Sequence, residues 1–211
     1  LAAVPDLERQ EKYPYTRLAD AAFSRNVEAV RLLLELGASA RPPEGCPSAL
    51  HSVCWQGSSS DEEVDAAGVE IIDLLVAAGA DVNAADEEGA TALHEAVEGD
   101  WSYASAVRAL LRHGAHPDPT DQSGQTPLML TREPECVREL LFAGADPLRK
   151  DNEGKSALSR ARLNVGGHKV SAFSAFLLRG VISKAQLAES AGNAKQEAEE
   201  TLALLEAAAR S

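Results

Sequence analysis

Gly79-Ala80-Asp81-Val82-Asn83-Ala84, followed by Thr91-Ala92-Leu93-His94-Glu95-Ala96, is the stretch on which the reading of this chain turns. Gly79 ends the run Leu74-Leu75-Val76-Ala77-Ala78 and supplies the left-handed residue that closes a helix. Asp86-Glu87-Glu88-Gly89 then places Asp first and Gly fourth, the preference of a type I β-turn whose Asp bonds back to the main chain. Thr91 offers an N-cap hydroxyl to the next helix.

Outward from this stretch the pattern repeats. Leu32-Leu33-Leu34-Glu35-Leu36-Gly37-Ala38, Leu110-Leu111-Arg112-His113-Gly114-Ala115 and Leu140-Leu141-Phe142-Ala143-Gly144-Ala145 echo the helix end, and Leu177-Leu178-Arg179-Gly180-Val181 is a last copy without the Ala. From Gly37 through Gly79, Gly114, Gly144 and Gly180 the steps are 42, 35, 30 and 36 residues, a period that signals a solenoid of stacked units. Asp121 to Gly124 and Asp151 to Gly154 repeat the turn, while Thr16, Ser48, Thr126 and Ser156 stand as the other caps. Thr126 is followed by Pro127, suited to a first helical position that needs no N–H.

Turn, helix, loop, helix, glycine: the unit resembles the ankyrin repeat. Thr91 to Ala96 nearly spells the family's T-P-L-H-x-A, with partial copies at Ser48-Ala49-Leu50-His51 and Thr126-Pro127-Leu128-Met129, and Gly79 to Ala84 matches its G-A-D-V-N-A. The resemblance covers about residues 16–180 and implies an all-α, ankyrin-repeat solenoid of helix-loop-helix units with β-turn tips. The expected layout is a lead-in over 1–15, repeats at 16–46, 47–85, 86–120, 121–150 and 151–182, and a helical C-terminal cap or degenerate sixth repeat over 183–211. Leu202, Leu205 and Ala209 share one face of that last segment; a dimerising coiled coil over 184–210 is the rival reading.

The repeats are not uniform. From cap to closing glycine they span 21, 31, 23, 18 and 24 residues. The second therefore carries an insertion of ten residues, expected between its helices around Gly57 to Glu63. The fourth is three residues short near Arg132-Glu133-Pro134, where Pro134 must begin or precede the second helix.

Composition bounds the function. The 211 residues are 45% hydrophobic and 25% charged, ordinary for a globular protein, and no apolar run approaches a membrane span. Twenty Lys and Arg against 33 Asp and Glu leave a net charge of −13, which argues against nucleic acid as a partner. Cys46, Cys54 and Cys136 have no C-x-x-C spacing and read as reduced thiols, consistent with a cytoplasmic location; a monomer is expected in preference to an oligomer. The N-terminus has no signal-peptide pattern, yet it starts at Leu1, which is compatible with an upstream domain.

No constellation supports catalysis, so the chain reads as a non-enzyme without cofactor or metal. His51 and His94 sit at the His of the cap motif, where the resemblance implies hydrogen bonds between neighbouring repeats. His113 and His116 lack further ligands at metal spacing, and Asp81 to Ala92 fails as a calcium loop at Asp86 and Ala92. Cys136 has no base and reads as a core residue.

Charge distribution is the individual feature. Residues 42–107 hold no Lys or Arg and 14 carboxylates, including Glu70, Asp73, Glu87, Glu88, Glu95 and Glu98. Such a field steers a basic protein partner, or it is a solvated face that keeps the chain soluble. Trp55, Trp101 and Tyr103 fall at the ends of first helices or in inter-helix loops, where rings serve as binding anchors; Trp55 has the alternative task of holding down the insertion. The resemblance further implies binding through turn tips and first helices. Those tips are Glu87, Glu88 and Ala90 in the third repeat, Gln122, Ser123 and Gln125 in the fourth, and Asn152, Glu153 and Lys155 in the fifth, positions expected to have no packing duty. The expected function is a protein-binding module or scaffold for a partner with a basic patch; the alternative is a docking or recruitment segment of a larger enzyme or regulator.

Overall fold

The structure is a computed structural model and describes residues 16–41, 48–55, 62–98, 104–131, 133–160, 200 and 203–210. Eight helices are complete within them: α1 (Arg17–Phe23), α2 (Val27–Glu35), α3 (Ala49–Trp55), α4 (Glu62–Ala77), α5 (Ala92–Val97), α6 (Ala104–Arg112), α7 (Pro127–Leu130) and α8 (Pro134–Phe142). A ninth begins with the turn 157–160. Successive first helices α1, α3, α5 and α7 pack side by side, as do the second helices α2, α4, α6 and α8, so the chain is a two-layer stack of helix pairs. The described residues contain no extended strand, only the bridges Ala85 to Thr91 and Lys150 to Ser156 at the bases of two turns.

One core runs through the stack. The Leu of each cap motif (Leu18, Leu50, Leu93, Leu128 and Leu158) is buried, and it meets Val30, Ile71, Ile72, Leu75, Leu110 and Leu140 from the second helices. Such a helix pair cannot bury both faces alone, and neighbours complete it.

The closing glycines do what their positions predict. Gly37, Gly79, Gly114 and Gly144 have φ of 88°, 92°, 88° and 95°. After each, the next N–H reaches back to a carbonyl one turn up the helix, as in Ala115 to Leu110 and Ala145 to Leu140, both at 3.0 Å. These are Schellman ends, and the Ala that follows packs into the core.

The caps are less uniform than expected. Thr16 Oγ1 accepts from the Ala19 N–H at 3.1 Å, and Ser156 and Ser159 cap one another reciprocally. Thr91 forms a capping box with His94, whereas Thr126 makes no side-chain cap bond to its helix. At Thr91 the third helical residue is His94, whose Nδ1 takes the Thr91 N–H at 3.0 Å and lies 3.1 Å from its hydroxyl. At Thr126 the four-residue helix closes through the main chain, Met129 N–H to the Thr126 carbonyl, leaving the buried hydroxyl without a partner among the described residues.

The insertion is also used differently. The expectation placed it between the helices, but α4 has 16 residues where α2, α6 and α8 have nine, so most of the added length is helix. Residues 56–61 lie outside the described residues, as does the fifth repeat after Arg160. Pro134 is the first residue of α8, as its ring requires. The C-terminal segment is helical over 203–208: Leu205 is buried in the common core with Leu204 and Ala209 against it, and Glu200 ion-pairs with Arg138 of α8.

Candidate functional site

The turn tips are stitched together by their own backbone. Asp86 Oδ1 accepts from Glu88 and Ala90, Asp121 Oδ1 from Gln125, and Asp151 Oδ1 from Glu153 and Lys155, the Asx bonding expected of these turns. Between tips, the Gln122 N–H donates to the Glu88 carbonyl at 2.9 Å and its Nε2 to the Glu87 carbonyl at 2.5 Å. Asn152 repeats the move one unit on, with its N–H to Ser123 at 3.0 Å and its Nδ2 to Gln122 at 2.9 Å.

This corrects the expectation that tip positions have no packing duty. Gln122 and Asn152 side chains clamp adjacent turns. Ala90 and Gln125 contribute carbonyls that sit 3.0 Å from His51 Nε2 and 3.1 Å from His94 Nε2. Those two contacts are the inter-repeat histidine bonds that the resemblance implies. Glu87, Glu88, Ser123 and Glu153 expose their side chains; Lys155 is exposed too, but its Nζ pairs with Glu153 at 2.6 Å.

The acidic stretch divides into two populations. On the second helices, Glu70 pairs with Arg31 at 2.6 Å, and Asp73 bonds His113 at 2.6 Å and Arg112 at 2.8 Å. The His113 bond, with help from Arg112, holds the Asp73 carboxyl below the usual carboxylate range. These charges are spent between repeats. The other population is Glu87, Glu88, Glu95 and Glu98, which enter none of the ion pairs among the described residues. Glu95 shows how crowded they are: burial, then the carboxylates of Glu98, Asp86 and Glu88, push its carboxyl up to about 7.

An aromatic row leads into this acidic group. Phe23, Trp55 and Glu98 each stand seven residues after their cap (Thr16, Ser48 and Thr91), at the ends of neighbouring first helices. Phe23 is 38% exposed and Trp55 61%. Phe23 escapes a search for Trp and Tyr anchors, although its register relative to Thr16 reveals it. Trp101 and Tyr103 lie outside the described residues.

Burial pushes the Cys54 thiol up to about 12, Cys136 is fully buried, and among the described residues no group of His, Cys, Asp and Glu is placed to hold a metal. No described helix is long and apolar enough to cross a membrane.

A two-layer stack of helix pairs, closed by glycine ends and joined by stitched turn tips, is a helical repeat scaffold. The family model "Ankyrin repeats (3 copies)" matches residues 64–151, and the chain is an ankyrin-repeat protein. It is 33% identical over 150 residues, 68% of its length, to E3 ubiquitin-protein ligase KEG of Arabidopsis thaliana. It is 48% identical over 79 residues, 36% of its length, to nuclear factor NF-kappa-B p105 subunit of Mus musculus. In each case the chain spans 8% of the relative's own length.

Proposed function

We propose that this chain is a non-catalytic binding module whose partner presents a basic patch, engaged by the tip and first-helix side of the third repeat. The observation that carries this reading is the segregation of carboxylates: Glu70 and Asp73 are matched by Arg31, Arg112 and His113, while Glu95 is crowded by Glu98, Asp86 and Glu88, and Glu87 beside them is exposed and enters no ion pair among the described residues. Bringing a Lys or Arg there relieves like-charge repulsion as well as adding attraction, and the concentrated field steers encounter. Exposed Trp55 and Phe23 beside it supply apolar area for an anchor.

Zero-length carboxylate-to-amine crosslinking of the captured complex tests the placement. Crosslinks from partner lysines to Glu87, Glu88 or Glu98 are expected; crosslinks confined to Glu70 and Asp73 would move the site to the second helices.

A second reading is recruitment or intramolecular docking within a longer protein. It is favoured by one fact, that both relatives are many times longer than the matched repeats. The same acidic surface serves either reading, and only the source of the basic segment differs.

A further inference from the structure

Asn83 stands four residues after Gly79 and ties the second helix pair to the third. Its Oδ1 accepts from the His116 N–H at 2.8 Å and its Nδ2 donates to the Gly114 carbonyl at 3.2 Å. Asp118 stands four residues after Gly114, and it reproduces half of that clamp. Its Oδ2 accepts from the Asp146 N–H at 2.8 Å, and Asp146 follows Gly144 by two residues, as His116 follows Gly114. The other half has no partner: Asp118 Oδ1 is buried and unbonded among the described residues, in the place that Asn83 fills with an amide nitrogen. A carboxylate has no hydrogen to offer the carbonyl that the register places there, that of Gly144.

We propose that Asp118, at the joint between the third and fourth helix pairs, takes up a proton in acid and donates it to the Gly144 carbonyl, so that the joint is tight in acid and loosens when Asp118 ionises. The surroundings agree with this assignment. Burial raises the Asp118 carboxyl above its usual value and the Asp146 carboxylate pushes the same way; the Asp146 N–H and the charge of Arg149 oppose them. The Arg149 guanidinium is engaged elsewhere, by the main-chain carbonyl of Asp118 at 3.1 Å. His116, earlier in the same loop, is exposed. A carboxyl whose value is higher in the fold than in the unfolded chain contributes stability that is full below the unfolded value, near 4, and lost as pH rises through the folded one. The joint also carries the Glu88 to Gln122 tip contact, so it couples proton uptake to the geometry of the tips.

Asp118→Asn restores the donor at every pH. Thermal unfolding of the variant beside the wild type should show a midpoint higher by about 2–4 °C at pH 7, the shift that roughly 1 kcal/mol gives in a chain of this size, with the gap closing towards pH 4. Asn83→Asp should create the converse at the neighbouring joint, a loss at pH 7 recovered in acid. Carboxyl-carbon NMR of the wild type reads the proton directly and does not depend on either variant folding. A gap that stays constant with pH, or an Asp118 carboxyl titrating at or below the ordinary aspartate value, overturns the proposal.

Discussion

His94 and Gln125 are joined across two repeats by a 3.1 Å bond between the imidazole Nε2 and the main-chain carbonyl, while His94 Nδ1 accepts the Thr91 N–H at 3.0 Å. The two contacts fix the tautomer: Nε2 carries the hydrogen, Nδ1 has none, and the ring must be neutral. Burial holds the imidazole below its usual value against the Gln125 carbonyl and the carboxylates of Asp121, Asp86 and Glu98. A histidine depressed in this way contributes stability present above about 6.5, the unfolded value, and lost as pH falls through the folded one. His94→Ala should cost about 1–3 kcal/mol at pH 7, because it leaves buried main-chain groups without partners. Urea denaturation at pH 7.5 and 5.5 checks this: the gap between variant and wild type should narrow in acid.

Glu95 should titrate in the opposite sense to His94. Its carboxyl is raised from 4.5 to about 7, so the fold favours the neutral form, and the associated stability is full below about 4.5 and lost as pH rises to about 7. Glu95→Gln keeps the shape and removes the charge. The variant should be more stable than the wild type at pH 8, with the gap shrinking through pH 7 to 5 and closing near pH 4, below the unfolded value, by thermal unfolding.

Gly124 is constrained twice. Its φ is 74°, and a Cβ there would stand 2.6 Å from Asn152 Oδ1 and 2.9 Å from the Asn152 nitrogen. Gly124→Ala therefore forces the fourth and fifth turns apart as well as paying the left-handed penalty of roughly 1–2 kcal/mol. Amide exchange should report faster opening at Asn152, whose N–H donates to Ser123, with little change at Ala115 in the third repeat. Equal effects at both amides would show that the stack opens as a single unit.

The two acidic populations should separate by mutation. Glu70→Gln with Asp73→Asn removes charges that Arg31, Arg112 and His113 already match on half-exposed side chains, so each pair contributes no more than about 1 kcal/mol. Partner capture by this double variant should equal wild type at moderate salt.

Much of this was legible in the residues. Gly37, Gly79, Gly114 and Gly144 announce helix ends because only glycine takes that backbone cheaply, and the Asp-to-Gly turns announce tips for the same reason. Local chemistry is where the reading strayed. Thr91 is the N-cap its sequence suggests, but that its box partner is the His94 imidazole depends on side-chain placement. Gly57 and the serines after it read as loop, whereas Glu62 and Glu63 suit the positive end of a helix, and the boundary between those tendencies decides the length of α4. Pairs such as Arg31 with Glu70 are invisible to composition because their members stand a repeat apart, so the acidic run looked uniform. Gln122 and Asn152 read as free tips in the sequence because clamping a neighbouring turn leaves no periodic trace.

The most direct test of a basic partner at the third repeat is capture from native lysate, read by mass spectrometry, with wild type beside Glu87→Lys/Glu88→Lys at low and moderate salt. Both side chains are exposed, so the fold should tolerate the reversal. The expected result is a protein retained by the wild type, weakened by salt, and lost by the variant. Equal retention of the same protein by both chains at low salt would contradict it and leave the acidic surface a solvated face.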